Sequence, residues 1–139
     1  MNRIILLYII VLLLFGGGTL YAQGSTVGSD TINMVDAAKL KQGYWIVKSI
    51  SNTVEEGRYV NNMRNGVWTF YFPSGKIKCT ITYLDDKAKG YAKLYYEDGK
   101  LAEEGTWMEN KWVGKYRMNY PNGQLAYDWN FDVSGKRTG

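Results

Sequence analysis

Residues 66–77 read Gly-Val-Trp-Thr-Phe-Tyr-Phe-Pro-Ser-Gly-Lys-Ile, and this pattern returns at residues 90–101 and again at residues 114–125. Each step is 24 residues long, and glycine occupies the first and the tenth position of every copy. The shorter stretch Gly43-Tyr-Trp repeats the opening of the pattern 23 residues before the first copy. A fixed period of this length is typical of a repeat architecture. The sequence therefore predicts four units, beginning at residues 43, 66, 90 and 114.

Within a unit, apolar and polar residues alternate with a period of two. One face of the first strand is mainly apolar, and it carries Trp68, Ala92 and Tyr116 at equivalent positions of the three copies. The opposite face becomes more polar along the chain. Period two is typical of strands and would scatter apolar residues around a helix. We predict an all-β fold, an antiparallel meander of β-hairpin repeats with one buried and one solvated face.

Two kinds of turn punctuate the repeat. One kind ends in glycine, as in Pro73-Ser-Gly75, where proline presets the backbone and glycine accepts a positive φ. The other kind is a pair of polar residues: Asn61-Asn62, Asp85-Asp86 and Glu109-Asn110. A meander with such short connections is a single layer, which cannot cover its own apolar face. The sheet must therefore curl, continue into further repeats, or be covered by a partner.

The N-terminal residues 1–22 have the features of a secretory signal. Arg3 precedes an apolar run of 12 residues, Ile4–Phe15, and three glycines lead to a small residue at Ala22. The alternative is an uncleaved anchor, because residues 4–22 are 19 residues long and about 20 cross a bilayer. We predict export to the periplasm, the cell envelope or the medium. Residues 23–42 are expected to form a flexible lead-in, extended rather than helical over 31–42, and residues 43–139 the repeat domain.

The composition argues against an enzyme. The 139 residues include no His and one Cys, so there is no imidazole for acid–base catalysis or zinc binding and no internal disulfide. Cys79 lies on the apolar face with no His to activate it. The adjacent carboxylates Glu55-Glu56 and Glu103-Glu104 point to opposite faces of a strand, unlike a glycosidase pair. We predict no catalytic residues, no metal and no cofactor.

A family resemblance rests on the order of residues around the third unit. The stretch Glu104-Gly-Thr-Trp107 leads through a polar turn to Gly114-Lys-Tyr116, and this is similar to the MORN repeat. Where that repeat has Gly-x-Gly, this chain has Trp68, Ala92 and Tyr116 in place of the second glycine. This departure resembles the bacterial MORN-variant repeat, a group that includes YwqK-type antitoxins. The resemblance covers residues 43–139 and implies an elongated, curved single sheet without a catalytic motif.

The candidate binding surface combines basic and aromatic residues. Six of its members lie on the polar face, and the seventh, a tryptophan, departs from the repeat phase that holds the other tryptophans and is expected to be exposed. Basic residues interleaved with aromatics suit anionic lipid or glycan. The surface consists of Tyr71, Tyr91, Lys93, Tyr95, Trp112, Lys115 and Arg117.

Repeats without a catalytic constellation favour a binding role. We predict an exported, non-enzymatic module for protein–protein interaction or scaffolding at the bacterial cell envelope, with the aromatic face or self-association through the sheet ends as the contact. One alternative is an envelope module whose Lys/Tyr face binds anionic lipid or polysaccharide. A third is an antitoxin, which requires that the chain is not exported. Nucleic acid is not expected as a ligand, because without residues 1–22 the chain has 16 basic and 13 acidic residues, only a mild excess.

Overall fold

The computed structural model describes residues 26–27, 30–50 and 52–139, and every described element is a strand or a turn. The predicted signal at residues 1–22 lies outside the described residues. Two short strands, β1 and β2, form a small hairpin, and nine further strands form one sheet. The bounds are β1 Thr26–Val27, β2 Asp30–Thr31, β3 Met34–Val35, β4 Lys41–Ser49, β5 Asn52–Val60, β6 Met63–Tyr71, β7 Ile77–Leu84, β8 Lys87–Tyr95, β9 Leu101–Met108, β10 Lys111–Asn119 and β11 Leu125–Phe131.

The sheet is a meander in which each strand pairs with its neighbours in the chain. The spatial order runs from β3 to β11 without a crossover, all these pairs are antiparallel, and the sheet does not close. The predicted all-β meander of hairpin repeats is confirmed. The sheet starts upstream of residue 43, because β3 and the first residues of β4 lie inside the segment expected to be a lead-in.

The two predicted kinds of turn alternate at the two ends of the strands. The polar pairs are two-residue turns in which both residues have positive φ, as in Asp85 (49°) and Asp86 (64°), which is the type I′ geometry that matches strand twist. The glycine turns are closed by a backbone hydrogen bond, as from Gly75 N–H to the Phe72 carbonyl at 2.8 Å. Gly75 has a φ of 83°, which explains the glycine at this position.

Two irregularities recur along the sheet. The pairing shifts near three of the opening glycines, Gly66, Gly90 and Gly114, of which Gly66 has a φ of 78°. A second shift leaves one extra residue on the returning strand, and these extra residues are Val54, Lys78, Ala102 and Ala126. Bulges bend a strand and increase its twist. They also break the alternation at the start of the returning strands, so Ile77 and Leu125, which an unbroken period of two would place on the core face, are exposed.

The core is one row of side chains across the apolar face of the sheet. Two large residues of this row lie against glycines: Trp68 packs on Gly57, and Tyr116 lies opposite Gly105. Trp68 has no exposed surface. The buried apolar side chains among the described residues are Trp68, Ala92, Ala102 and Tyr116. A core this thin leaves most of the apolar face only half-covered.

The two edges of the sheet are occupied by irregular segments. At the first edge, the side chain of Asn33 makes the two hydrogen bonds to Ile46 that a neighbouring strand would make. Its Oδ1 accepts from Ile46 N–H at 2.8 Å, and its Nδ2 donates to the Ile46 carbonyl at 3.2 Å. At the other edge, Thr138 N–H donates to the Asn130 carbonyl at 2.7 Å. Paired edge groups are not available to a further strand. Self-association through the sheet ends stays a prediction.

Candidate binding surfaces

The polar face of the repeats carries a ladder of alternating charges. Directly paired residues on β8 to β11 place Lys93, Glu104, Arg117 and Asp128 side by side. Arg117 lies 3.9 Å from the Glu104 carboxylate and 3.4 Å from the Asp128 carboxylate, and Lys115 lies 3.7 Å from Asp128. We call these five residues the charge ladder. Three positive charges face two negative ones, so the ladder is close to neutral.

The tyrosines of the same face are also engaged with carboxylates. Tyr91 donates a hydrogen bond to Glu104 Oε2 at 2.8 Å, and Tyr71 donates one to Glu56 Oε1. Burial, followed by the neighbouring carboxylate, raises the pKa of each of these two phenols. Tyr95 is half-buried opposite Leu101. Much of the charge and hydrogen-bonding capacity of the predicted Lys/Tyr surface is therefore used within the sheet.

Trp112, the remaining predicted binding residue, lies on the opposite, apolar face. Its ring meets Trp107 edge-on at a centroid distance of 4.8 Å and lies 5.0 Å from the ring of Tyr116. It also packs over the backbone of Gly105. The expectation that Trp112 is exposed is wrong, because these neighbours leave it half-buried. The seven predicted residues thus form two separate surfaces.

The apolar face contains a pocket of about 180 Å³. Its walls come from the middle strands of the sheet and are almost wholly apolar, with one thiol. Burial raises the pKa of that thiol, Cys79, and the nearby charge of Lys78 partly opposes the shift. The lining residues are Cys79, Ile81, Ala88, Ala92, Leu94, Trp107 and Trp112. We call this the apolar pocket.

Comparison with known families identifies the repeat. The model of the MORN repeat variant matches residues 64–85, 89–108 and 112–132. These residues form a MORN repeat domain. Domains of this kind commonly bind proteins or membranes, and the family is generally non-catalytic. No curated protein matches the chain.

The MORN repeats of this chain differ at two positions, and this difference creates the apolar pocket. Where the second repeat has Ala88, the neighbouring repeats have Arg64 and Trp112; where it has Ala92, they have Trp68 and Tyr116. In the first repeat the Arg64 guanidinium lies 5.8 Å from the Trp68 ring and 4.3 Å from the Tyr83 ring. Two alanines remove both the large core residue and its cover, which leaves the space open.

Cations cover the aromatic row outside this gap. Lys41 Nζ lies 4.8 Å from the Trp45 ring and 4.9 Å from the Tyr59 ring, and the Arg137 guanidinium lies 5.0 Å from the Trp129 ring. Such contacts are each worth about 0.5–1 kcal/mol at exposed sites. The sequence-based prediction missed this cover, although the 24-residue spacing of Arg64, Ala88 and Trp112 was a usable signal.

The described residues also limit other kinds of site. In the part of the chain that the structure covers, no group of three or more Cys, Asp or Glu side chains is placed to hold a metal ion. Within the same ranges no helix is long and apolar enough to cross a bilayer.

Proposed function

We propose that this MORN repeat domain is a non-enzymatic module that binds another protein through its apolar face. The observation that carries the proposal is the apolar pocket in a sheet of one layer, whose apolar face has no second layer over it among residues 30–50 and 52–139. Each Å² of apolar surface removed from water contributes about 25 cal/mol of favourable free energy, so burial of the apolar face against a partner stabilises the complex. The proposal includes export and action at the cell envelope, which the signal-like residues 1–22 support.

The alternative surfaces receive less support. Binding of anionic lipid or polysaccharide through the charge ladder would require Arg117 to leave Glu104 and Asp128 and Lys115 to leave Asp128. An antitoxin role would require the chain to remain in the cytoplasm. Detection of the N-terminus at Gln23 in protein from the cell envelope would support export, and a cytoplasmic chain that starts at Met1 would contradict it.

Photo-crosslinking from the two faces tests the proposal. Leu94 and Lys93 are adjacent on β8, and their side chains lie on the apolar and the polar face respectively. We would place p-benzoylphenylalanine at residue 94 or at residue 93 of the full chain and irradiate producing cells. The expected result is a discrete protein adduct from residue 94 and none from residue 93.

Three crosslinking outcomes would contradict the proposal. Equal adducts from both positions would indicate contact without a preferred face, adducts from residue 93 alone would move the contact to the polar face, and no adduct from residue 94 would mean that no partner covers the apolar face. Turnover of a glycan or ester by the purified protein, at a rate that survives further purification, would contradict the non-enzymatic assignment.

A further inference from the structure

We infer that the apolar pocket is an anchoring site for one aromatic or branched aliphatic side chain of a bound peptide segment. This inference rests on the proposed function and names the chemistry that the partner presents. The pocket occurs where Ala88 and Ala92 stand in place of the larger residues found 24 residues before and after them, Arg64 and Trp112 for Ala88 and Trp68 and Tyr116 for Ala92. The neighbouring repeats fill the same space with their own side chains.

The size of the pocket and the residues that line it determine which class of ligand side chain it can accept. The apolar pocket has a volume of about 180 Å³ and opens to solvent, and Ile81, Leu94 and Trp107 are among its walls. Since a benzene ring fits a protein cavity of about 150 Å³, this volume accommodates one ring or one branched alkyl group. A charged group would lose its hydration there without gaining a partner. A ring or a branched alkyl group meets the walls without that cost.

The surroundings of the pocket favour a ligand in which the apolar group is attached to a neutral, polar backbone. Ala88 also lines a second, polar depression of about 650 Å³. Asp86, Lys87, Lys89 and Glu109 line that depression, so it carries both signs of charge. Mixed charges offer donors and acceptors to peptide amides but do not select an anion. Because Ala88 lines both depressions, the two adjoin each other.

Cys79 provides a direct reporter of occupancy. It lines the apolar pocket and is the one cysteine of the 139-residue chain, so a thiol reagent reads this site alone. A group in the pocket shields the thiol from the reagent. Shielding by a bound ligand slows the reaction by the factor one plus the ratio of ligand concentration to dissociation constant.

The experiment measures alkylation of Cys79 by iodoacetamide in the full chain, with N-acetyl-tryptophanamide or N-acetyl-leucinamide as the probe. We expect the rate to fall about tenfold at a probe concentration ten times the dissociation constant. N-acetyl-glycinamide, which has the same backbone and no side chain, should leave the rate unchanged. Ala88→Trp, which introduces the residue type of the next repeat, should abolish the protection.

Two variants control for effects on the fold. Leu84→Trp adds the same side chain at an exposed position near the pocket that does not line it, and should retain protection. Ala88→Ser preserves the size of the side chain and should also retain it. Protection by the glycine amide, no protection by either apolar amide, or protection that survives Ala88→Trp would overturn the inference. Protection without an adduct from residue 94 would overturn the proposed function alone, and an adduct without protection would overturn this inference alone.

Discussion

Trp68 packs so closely on the backbone of Gly57 that a Cβ atom at residue 57 would lie 2.6 Å from Cγ of the indole ring. The indole has no exposed surface, and its Nε1 donates a hydrogen bond to the Arg58 carbonyl at 3.1 Å. Tyr59 closes the side of the ring with an edge contact at 4.8 Å. In a sheet of one layer, this contact between a large side chain and a glycine replaces the second layer that other folds use to bury their core.

Gly57→Ala is expected to destabilise the domain by about 1–3 kcal/mol, the usual cost of overpacking a core. The added methyl group would displace the Trp68 ring and weaken its hydrogen bond. Urea unfolding followed by tryptophan fluorescence measures the effect. The matched control is the same change in a Trp68→Leu background, where the smaller side chain leaves room for the methyl group. A cost as large in that background as in the original protein would contradict the packing argument.

Lys39 occupies a position that is glycine in the other turns of its kind. Its φ is 65°, and its N–H donates to the Asp36 carbonyl at 3.0 Å, as Gly75, Gly99, Gly123 and Gly135 do in their turns. A left-handed conformation costs a non-glycine residue about 1–2 kcal/mol. Replacement by glycine removes this cost, but part of the gain in stability is lost because glycine has more conformational entropy in the unfolded chain. Lys39→Gly is therefore expected to stabilise the domain by about 0.5–1 kcal/mol in urea unfolding.

The control for that prediction is Lys39→Ala. Alanine removes the charge and the long side chain but retains the strained φ, so its stability should remain close to that of the original protein. Equal stabilisation by alanine and glycine would show that the charge, and not the backbone, is the cause.

Acid should weaken the two terminal turns of the sheet. Asp132 Oδ1 accepts the N–H groups of Ser134 and Lys136, and Asp36 Oδ1 those of Ala38 and Leu40. Hydrogen bonds, first from the Ser134 and Gln42 side chains, lower the pKa of these carboxyls below the ordinary value. A lowered pKa gives stability that is present above about pH 4 and is lost as pH falls through the folded-state pKa.

Asp132→Asn tests the acid dependence. Asparagine retains the acceptor oxygen but does not titrate, so the variant should lose less stability than the original protein between pH 5 and more acidic values, when the urea midpoint is measured at each pH. The same acid dependence in both proteins would show that Asp132 does not contribute to it.

The repeat period made much of this fold predictable. Glycines at a spacing of 24 residues and the pairs Asp85-Asp86 and Asn61-Asn62 identify turns whose backbone requirements few residues meet. The period-two pattern places Trp68 and Tyr116 on the core face correctly. The bulges were not predictable in this way, because an extra residue such as Lys78 or Ala126 looks like any other strand residue. The exposure of Ile77 follows from that missed shift.

The binding surfaces were harder to predict than the fold. Residue types alone marked Lys93 and Arg117 as a basic surface. The net charge of that surface also depends on the carboxylates that the strand register places opposite these residues. The apolar pocket is created by what Ala88 and Ala92 lack, and an absent side chain leaves no motif. Comparing the repeats position by position reveals it, since Arg64 and Trp112 stand at the equivalent place.

Because the charge ladder is close to neutral, we expect weak binding to anionic membranes. A double substitution that removes its two carboxylates should strengthen this binding. Glu104→Gln with Asp128→Asn would release Lys115 and Arg117 from their carboxylates while retaining the hydrogen-bond acceptors. Basic residues near an anionic surface contribute about 1 kcal/mol each, so removal of two acids should raise the affinity for phosphatidylglycerol-containing vesicles about tenfold or more. Co-sedimentation at low and high salt measures this, and the gain should vanish at high salt.

The matched control for the ladder is Glu97→Gln with Glu109→Gln. It makes the same change in net charge at exposed turn positions outside the ladder. An equal gain in vesicle binding would mean that net charge alone governs the attraction and that ion pairing within the sheet is irrelevant. Strong, salt-sensitive binding by the unaltered protein would instead favour the polar face as the contact surface. In that case the ion pairs of Arg117 would have to open at the membrane, and Arg117→Gln should reduce the binding of the unaltered protein by about fivefold.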